Sequence, residues 1–301
     1  MKTSVIIPTY NGKELLEKNL PFVIQNSNNS EIVIGDDASL DGTLEMLKDK
    51  FPRVKVVRST TNGGFSSIVN KAIKSSSGDL IILLNSDVAP EAGYLDAVLP
   101  LFEDPNLFAI GFLQKSIENG NIVLRGRGIG EFKKGFLVHS KGRPDKKDTL
   151  WVSGGAGIFN KKIWDKIGGL NDLYNPFYWE DIDMSYRAMK AGYRIGFEPK
   201  SVVIHRQAEG SIRTNYSKNV ILQYSWRNQF QFVWLNITDL NLLMQHIIQT
   251  FLLIINSILS GNWIALKGFF ASIKRFPVIM KKRKKLLVLW KKKDKEILIN
   301  D

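Results

Sequence analysis

Residues 177–183, Phe-Tyr-Trp-Glu-Asp-Ile-Asp, place three carboxylates within four positions, directly after an aromatic run. A second acidic element, Asn85-Ser86-Asp87, ends the apolar segment Leu80–Leu84 about ninety residues upstream. An acid at the C-terminal edge of a strand suits a divalent cation, because hard cations take carboxylate oxygens and share them with substrate phosphates. An acid at a helix start suits a general base, which must reach the proton it removes. Together they point to chemistry on a metal-bound phosphate ester.

The elements that would position these groups follow from hydrophobic pattern. Val5–Ile7, Glu31–Ile34, Val54–Val57 and Leu80–Leu84 read as strands, separated by helices over Gly12–Ile24, Thr43–Lys50 and Ser66–Ser75. Continuous apolar runs alternating with helices predict a mostly parallel sheet covered on both faces. Ligands of such sheets bind at the carboxyl ends of the strands. Tyr10-Asn11, Asp36-Asp37, Asn62-Gly63-Gly64 and Asn85-Ser86-Asp87 all fall there. Residues 113–150 are Gly- and Lys-rich and read as hairpins and loops. Trp151–Phe159 reads as a strand whose small residues, Gly154, Gly155 and Gly157 among them, permit close backbone approach. Lys161–Ile167 and Asp181–Gly192 read as helices, and Tyr193–Phe197 and Ser201–Ile204 as two late strands, the second ending at His205.

The chain of 301 residues has no cysteine, which excludes disulfides and thiolate metal sites. Met1-Lys2-Thr3 runs straight into the first strand without a signal peptide, so a cytosolic location is expected. The net charge is +13, of which residues 281–301 carry +6. Ile247–Leu259 is apolar on nearly every side, but at thirteen residues it falls short of the roughly 20 that a spanning helix needs. Asn262–Ile273 is aromatic and amphipathic, and Lys281–Lys285 and Lys291–Lys293 flank Leu286–Trp290. Trp, Phe and Leu beside Lys and Arg describe helices lying in a headgroup region. The tail therefore predicts an anionic membrane surface as partner rather than nucleic acid.

Each motif also has a plainer reading. Asn85-Ser86-Asp87 fits a capping turn. Asp36-Asp37 fits an N-cap pair for the Thr43 helix, and Asn62-Gly63-Gly64 a tight turn. Asp181 fits a solvated acid at a helix start, favoured by the macrodipole. Asp183 pairs with Arg187 at i,i+4 and reads as structural first. Arg227 in its aromatic helix reads as packing.

Taken in order, Ser4-Val-Ile-Ile-Pro8-Thr9-Tyr10-Asn11, Asp36-Asp37-Ala-Ser39-Leu-Asp41-Gly42-Thr43, Asn85-Ser86-Asp87 and Trp179-Glu180-Asp181-Ile-Asp183 resemble the family 2 glycosyltransferases, nearest their rhamnosyltransferase-like branch. The resemblance covers about residues 3–235. It implies an α/β GT-A fold, a half-Rossmann, mostly parallel sheet flanked by helices, followed here by an amphipathic helical extension. It also implies domain bounds: a glycosyltransferase domain over 1–236, with a nucleotide-binding half (1–112) and an acceptor-binding half (113–236), and a membrane-associating tail over 237–301. By the same resemblance Asp181 is the catalytic base, with Glu180 supporting the acceptor or orienting its neighbour. Asp87, and His205 at the strand end, would hold Mn²⁺ or Mg²⁺ through the donor diphosphate. Asn85 stands where the family's Asp-x-Asp motif has its first acid and adds no charge. Asp37 would read the nucleotide base beside Pro8 and Tyr10. Asn62 and Gly64 match the family's Asn-x-Gly loop, and Asn85 and Gly155 join the donor-binding set. The Gly- and Ser-rich segment after Arg206 is expected to close over the donor.

The function so implied is an inverting, metal-dependent transfer from a nucleoside-diphosphate sugar to a saccharide or lipid-linked acceptor, in cell-surface polysaccharide synthesis at the inner face of the membrane. A catalytically silent sugar-nucleotide-binding partner is the alternative, favoured by Asn85 and opposed by Glu180-Asp181. A nucleotidyltransferase would need a basic, glycine-rich loop after the first strand, and Pro8-Thr-Tyr-Asn11 supplies none.

Overall fold

The computed structural model describes residues 1–27, 29–118, 120–206 and 216–298. Its first third alternates strand and helix: β1 (Thr3–Thr9), α1 (Lys13–Asn26), β2 (Glu31–Asp36), α2 (Thr43–Lys50), β3 (Lys55–Arg58), α3 (Phe65–Ser75) and β4 (Leu80–Leu84). β4 shows why the sheet must be covered twice. All five of its residues are buried; Leu80, Ile82 and Leu84 enter one core cluster, and Ile81 and Leu83 the cluster on the other face. Each such side chain contributes about 1.5–3 kcal/mol relative to exposure.

Beyond β4 the chain adds β5 (Val88–Pro90), β6 (Leu107–Glu118), β7 (Asn121–Arg125), the hairpin β8 (Gly128–Lys133) and β9 (Phe136–Lys141), β10 (Ala156–Asn160), α4 (Lys161–Ile167), α5 (Glu180–Lys190) and β11 (Arg194–His205). The main sheet has nine strands among the described residues, in the order β3-β2-β1-β4-β10-β6-β11-β5, with β7 paired to β6. β1, β2, β3, β4, β6 and β11 run one way, while β10 is antiparallel to both β4 and β6.

Three expectations change in detail. Leu107–Phe112, given no element from sequence, begins β6. The strand expected over Trp151–Phe159 is extended only from Ala156. A Cβ on Gly157 would lie 2.4 Å from the Val152 side chain, so the small residues make room for the chain folding back on itself. The two late strands are one strand, β11, with a register shift between Glu198 and Val202.

Four helices close the chain: α6 (Lys218–Asn236), α7 (Leu240–Ser260), α8 (Trp263–Ile273) and α9 (Phe276–Leu287). α7 has 21 residues, longer than the thirteen-residue apolar run, because Asn241, Gln245 and His246 interrupt the hydrophobic pattern without interrupting the helix. The helices after residue 236 share a core with the sheet domain. Phe136, Tyr174, Trp179 and Tyr186 pack with Phe230, Phe232, Val233 and Ile297. Asp294, fully buried, accepts from Lys190 Nζ (2.8 Å), Tyr186 OH (2.8 Å) and the amides of Thr238 (2.7 Å) and Asp239 (2.8 Å). Lys190 is the last residue of α5, and its ammonium also stands 4.4 Å from the Trp290 ring centroid.

Candidate functional site

The carboxyl ends of β1, β2 and β4 and the start of α5 surround a cavity of about 340 Å³, within the range of small-molecule sites. Pro8, Tyr10, Asp37, Asn62, Gly64, Asn85, Asp87, Gly155, Glu180, Asp181 and His205 all line it. The structure thus brings every residue given a catalytic, donor-binding or metal role from sequence to one place, and Tyr216 and Phe177 line it as well. Asp183 does not reach the cavity.

On the floor, Asp37 is 3% exposed, and its two oxygens accept from the amides of Gly63 (3.0 Å) and Gly64 (2.8 Å). The N-cap of α2 is Gly42, without a side-chain cap, so neither acid of the pair caps the helix; Asp36 Oδ1 accepts from Ser39 N (3.1 Å) and Asp41 Oδ1 from Thr43 N (3.1 Å) in the turn before it. Asp37 is therefore free to tie β2 to the Asn62-Gly63-Gly64 loop. Gly64 has φ +86°, and a Cβ there would stand 2.8 Å from Asn175 Cγ, so glycine is required on both counts. Asn175 bridges the loop to the acid-bearing segment, donating to Gly63 O (2.7 Å) and Ser67 Oγ (2.9 Å).

Asn85 donates its backbone amide to Gly155 O (3.0 Å), and its side chain lies against the Gly155 backbone, where a Cβ would come within 2.3 Å of Nδ2. Gly155 therefore makes room for Asn85. Asp87 is 6% exposed, and its Oδ2 is 3.3 Å from His205 Nε2. His205 Nδ1 is 2.9 Å from Gln114 Oε1 on β6. An amide oxygen only accepts, so Nδ1 donates to it, and Nε2 is the ring nitrogen turned toward Asp87. A hydrogen-bonded imidazole oriented this way is the arrangement typical of metal-ligating histidines. Among the described residues no group of three or more His, Cys, Asp and Glu side chains gathers as a metal site. Asp87 and His205 form a two-ligand edge, which suits a cation whose shell is completed by substrate oxygens and water.

At the opposite wall, Asp181 accepts from Ile182 N (2.8 Å) and Gly154 N (3.3 Å). Glu180 is 8% exposed and its Oε2 has no hydrogen-bond partner. Burial, reinforced by the Asp181 charge, pushes the Glu180 carboxyl well above the usual glutamate range. Burial also raises Asp181, against the pull of the two amides that hold it. A base raised toward neutrality is better matched to proton transfer at physiological pH.

What aims these acids was not visible in local sequence. Tyr178 (φ +68°) and Trp179 (φ +77°) are consecutive non-glycine residues in the left-handed region, each costing about 1–3 kcal/mol. Asn228, fully buried on α6, donates through Nδ2 to Phe177 O (3.0 Å) and Tyr178 O (2.9 Å). Arg227 donates to Asn175 O (2.7 Å) and to Asn228 Oδ1 (2.8 Å). Arg227 packs as expected, its guanidinium 4.6 Å from the Tyr224 ring centroid, and adds a clamp on the carbonyls before α5. Gln114 and Asn175 carried no signal beyond their polarity, since their partners lie far away in the chain. The segment expected to close over a donor, 207–215, lies outside the described residues.

The family model of Glycosyl transferase family 2 matches residues 4–168. Over 242 residues the chain is 24% identical to the N-acetylglucosaminyl-diphospho-decaprenol L-rhamnosyltransferase of Mycobacterium tuberculosis, covering 69% of this chain and 77% of that protein. It is 24% identical over 237 residues to the O-antigen chain rhamnosyltransferase WbaN of Salmonella anatum, covering 76% and 69%. Among solved structures, S. aureus TarS 1-349 in complex with UDP-GlcNAc superposes with a TM-score of 0.61 at 17% identity, covering 96% of this chain and 89% of that one. Mannosyltransferase PcManGT from Pyrobaculum calidifontis, in complex with GDP-Man and Mn²⁺, gives 0.55 at 15% identity, covering 96% and 85%. These likenesses show a shared GT-A fold.

Proposed function

Because the chain belongs to glycosyl transferase family 2, we propose that it moves a sugar, with inversion, from a nucleoside diphosphate to a hydroxyl of a saccharide or lipid-linked acceptor. The observation that carries this reading is the single cavity lined by Asp37, Asp87, His205, Glu180 and Asp181. Asp37, with Pro8 and Tyr10, holds the nucleotide base, and the Asn62–Gly64 loop keeps that carboxylate in place. Asp181 takes the proton from the acceptor hydroxyl as its oxygen bonds to the anomeric carbon. The bond from that carbon to the diphosphate oxygen breaks, and the nucleoside diphosphate leaves. Glu180, its carboxyl raised by burial and by the Asp181 charge, stands beside Asp181 to support the acceptor or orient its neighbour.

Asp87 and His205 fit a divalent cation, one through a carboxylate oxygen and the other through Nε2, with donor oxygens as the remaining ligands. When bound, Mn²⁺ or Mg²⁺ supplies positive charge against the leaving diphosphate. The cation bound by PcManGT supports this assignment. The names of the two rhamnosyltransferase relatives support a deoxyhexose donor and a lipid-linked acceptor in cell-surface polysaccharide assembly.

Titration of the purified protein with a panel of UDP-, dTDP- and GDP-sugars, with and without Mn²⁺, is expected to find one tight donor whose binding weakens about tenfold or more in Asp87→Asn. Mass spectrometry of products made with a membrane lipid extract then identifies donor and acceptor. Donor binding without hydrolysis or transfer would support the silent-partner reading. Failure of every donor to bind would remove the nucleotide-sugar reading altogether.

A further inference from the structure

α7 presents to the outside a face that none of the described residues covers. Met244, Ile247, Phe251, Ile255, Ile258 and Leu259 are between 38% and 80% exposed. Their spacing of three and four residues makes one stripe along the helix. The best window of α7 has a mean hydropathy of 1.7 and is only 11% buried. Exposed apolar surface on this scale marks an interaction site.

Charge identifies what covers it. Residues 240–293 contain eleven Lys and Arg and no Asp or Glu. Lys267 and Lys274 are exposed on α8 or just beyond it, and Lys281, Lys284 and Lys285 on α9. A second copy would bring the same excess of positive charge to the stripe. An anionic bilayer offers hydrocarbon to the stripe and headgroup charge to the lysines.

By length alone α7 passes for a crossing helix: 21 residues rise about 30 Å, the thickness of the hydrocarbon layer. Packing excludes that orientation. α8 runs beside α6 in the same direction, with Gly268 against Trp226 and the Gln223 carbonyl, and Phe269 against Phe230 and Trp234. α7 is the return stroke between them. Its inner side is fixed to the hairpin: His246 Nδ1 donates to Gly135 O (2.7 Å), and Nε2 accepts from Trp234 Nε1 (2.9 Å). α6 in turn clamps the carbonyls before α5. A crossing α7 would drag this whole assembly, with its buried polar groups, into hydrocarbon.

We infer that α7 lies in the plane of an anionic bilayer, its stripe in the interface and the α8–α9 lysines among the headgroups. The inference stands apart from the transfer reaction. It is tested by flotation of the full-length protein with phosphatidylcholine vesicles with and without phosphatidylglycerol. Strong flotation is expected only with the anionic vesicles, and it falls as salt is raised. The double variant Phe251→Glu/Ile255→Glu, at exposed positions, loses flotation at least tenfold while its unfolding midpoint in urea stays put. Lys281→Glu/Lys284→Glu/Lys285→Glu loses the preference for anionic vesicles. Alkaline carbonate strips the wild type from cell membranes. Retention in the carbonate pellet means that α7 crosses and overturns the inference. Equal flotation with both vesicle types overturns it, as does a lipid-independent dimer that the double variant converts to monomer.

Discussion

Glu180 and Asp183 stand about one turn apart on α5, both almost fully buried, and differ in what surrounds them. Asp183 accepts from Tyr174 OH (3.0 Å), Asn236 Nδ2 (2.7 Å) and Arg187 Nε (2.7 Å). Arg187 spends another donor on Gly169 O (2.7 Å). Glu180 Oε2 has no partner, and the Asp181 beside it holds only two backbone amides. A buried acid left short of partners costs free energy, and a fold tolerates it where other contacts fix the backbone. Here those contacts are the Asn228 and Arg227 clamp on one side and the satisfied Asp183–Arg187 pair on the other. The second turn of α5 anchors; the first is left open for a ligand.

Three substitutions separate the two turns. Asp181→Asn removes the base, so transfer falls about 10²–10⁴-fold while donor affinity holds; steady-state rates and donor titration read this directly. Normal turnover would move Asp181 out of that role. Asp183→Ala should do the reverse. It strands the buried Arg187 charge and costs about 3–5 kcal/mol by urea unfolding, while rates at low temperature per folded molecule change little. A large rate loss without destabilisation would erase the contrast between the turns. The smallest effect belongs to Glu180→Gln. A carboxyl raised by burial adds to stability below its unfolded pKa, and that contribution is lost as pH rises through the folded pKa. The variant should therefore gain thermal stability over wild type as pH rises from acid through neutral. A constant offset across that range would mean that Glu180 does not titrate as its burial requires.

Much of this was legible beforehand, for a physical reason. Leu80–Leu84 is apolar at every position because both sheet faces are covered, and a ligand at such strand ends needs no further information. The start of β6 and the reversed direction of β10 were not legible, because antiparallel insertion between distant strands leaves only small residues such as Gly157 as its trace. Asp37 announced itself as an acid at a strand end, yet its attachment to Gly63 and Gly64 is a contact across 26 and 27 residues. Gln114 was silent for the same reason: a polar side chain whose partner is a remote imidazole resembles any other polar side chain. α7 was underestimated because counting apolar letters is not the same as counting hydrogen-bonded turns.

The Asp294 contact has a temporal consequence. Lys190 meets its counter-charge 104 positions later in the chain. During synthesis the α5 ammonium must wait, hydrated, until Asp294 has left the ribosome. Only then can the helix that begins at Glu180 be sealed at its far end, so a prematurely terminated product never acquires a finished site.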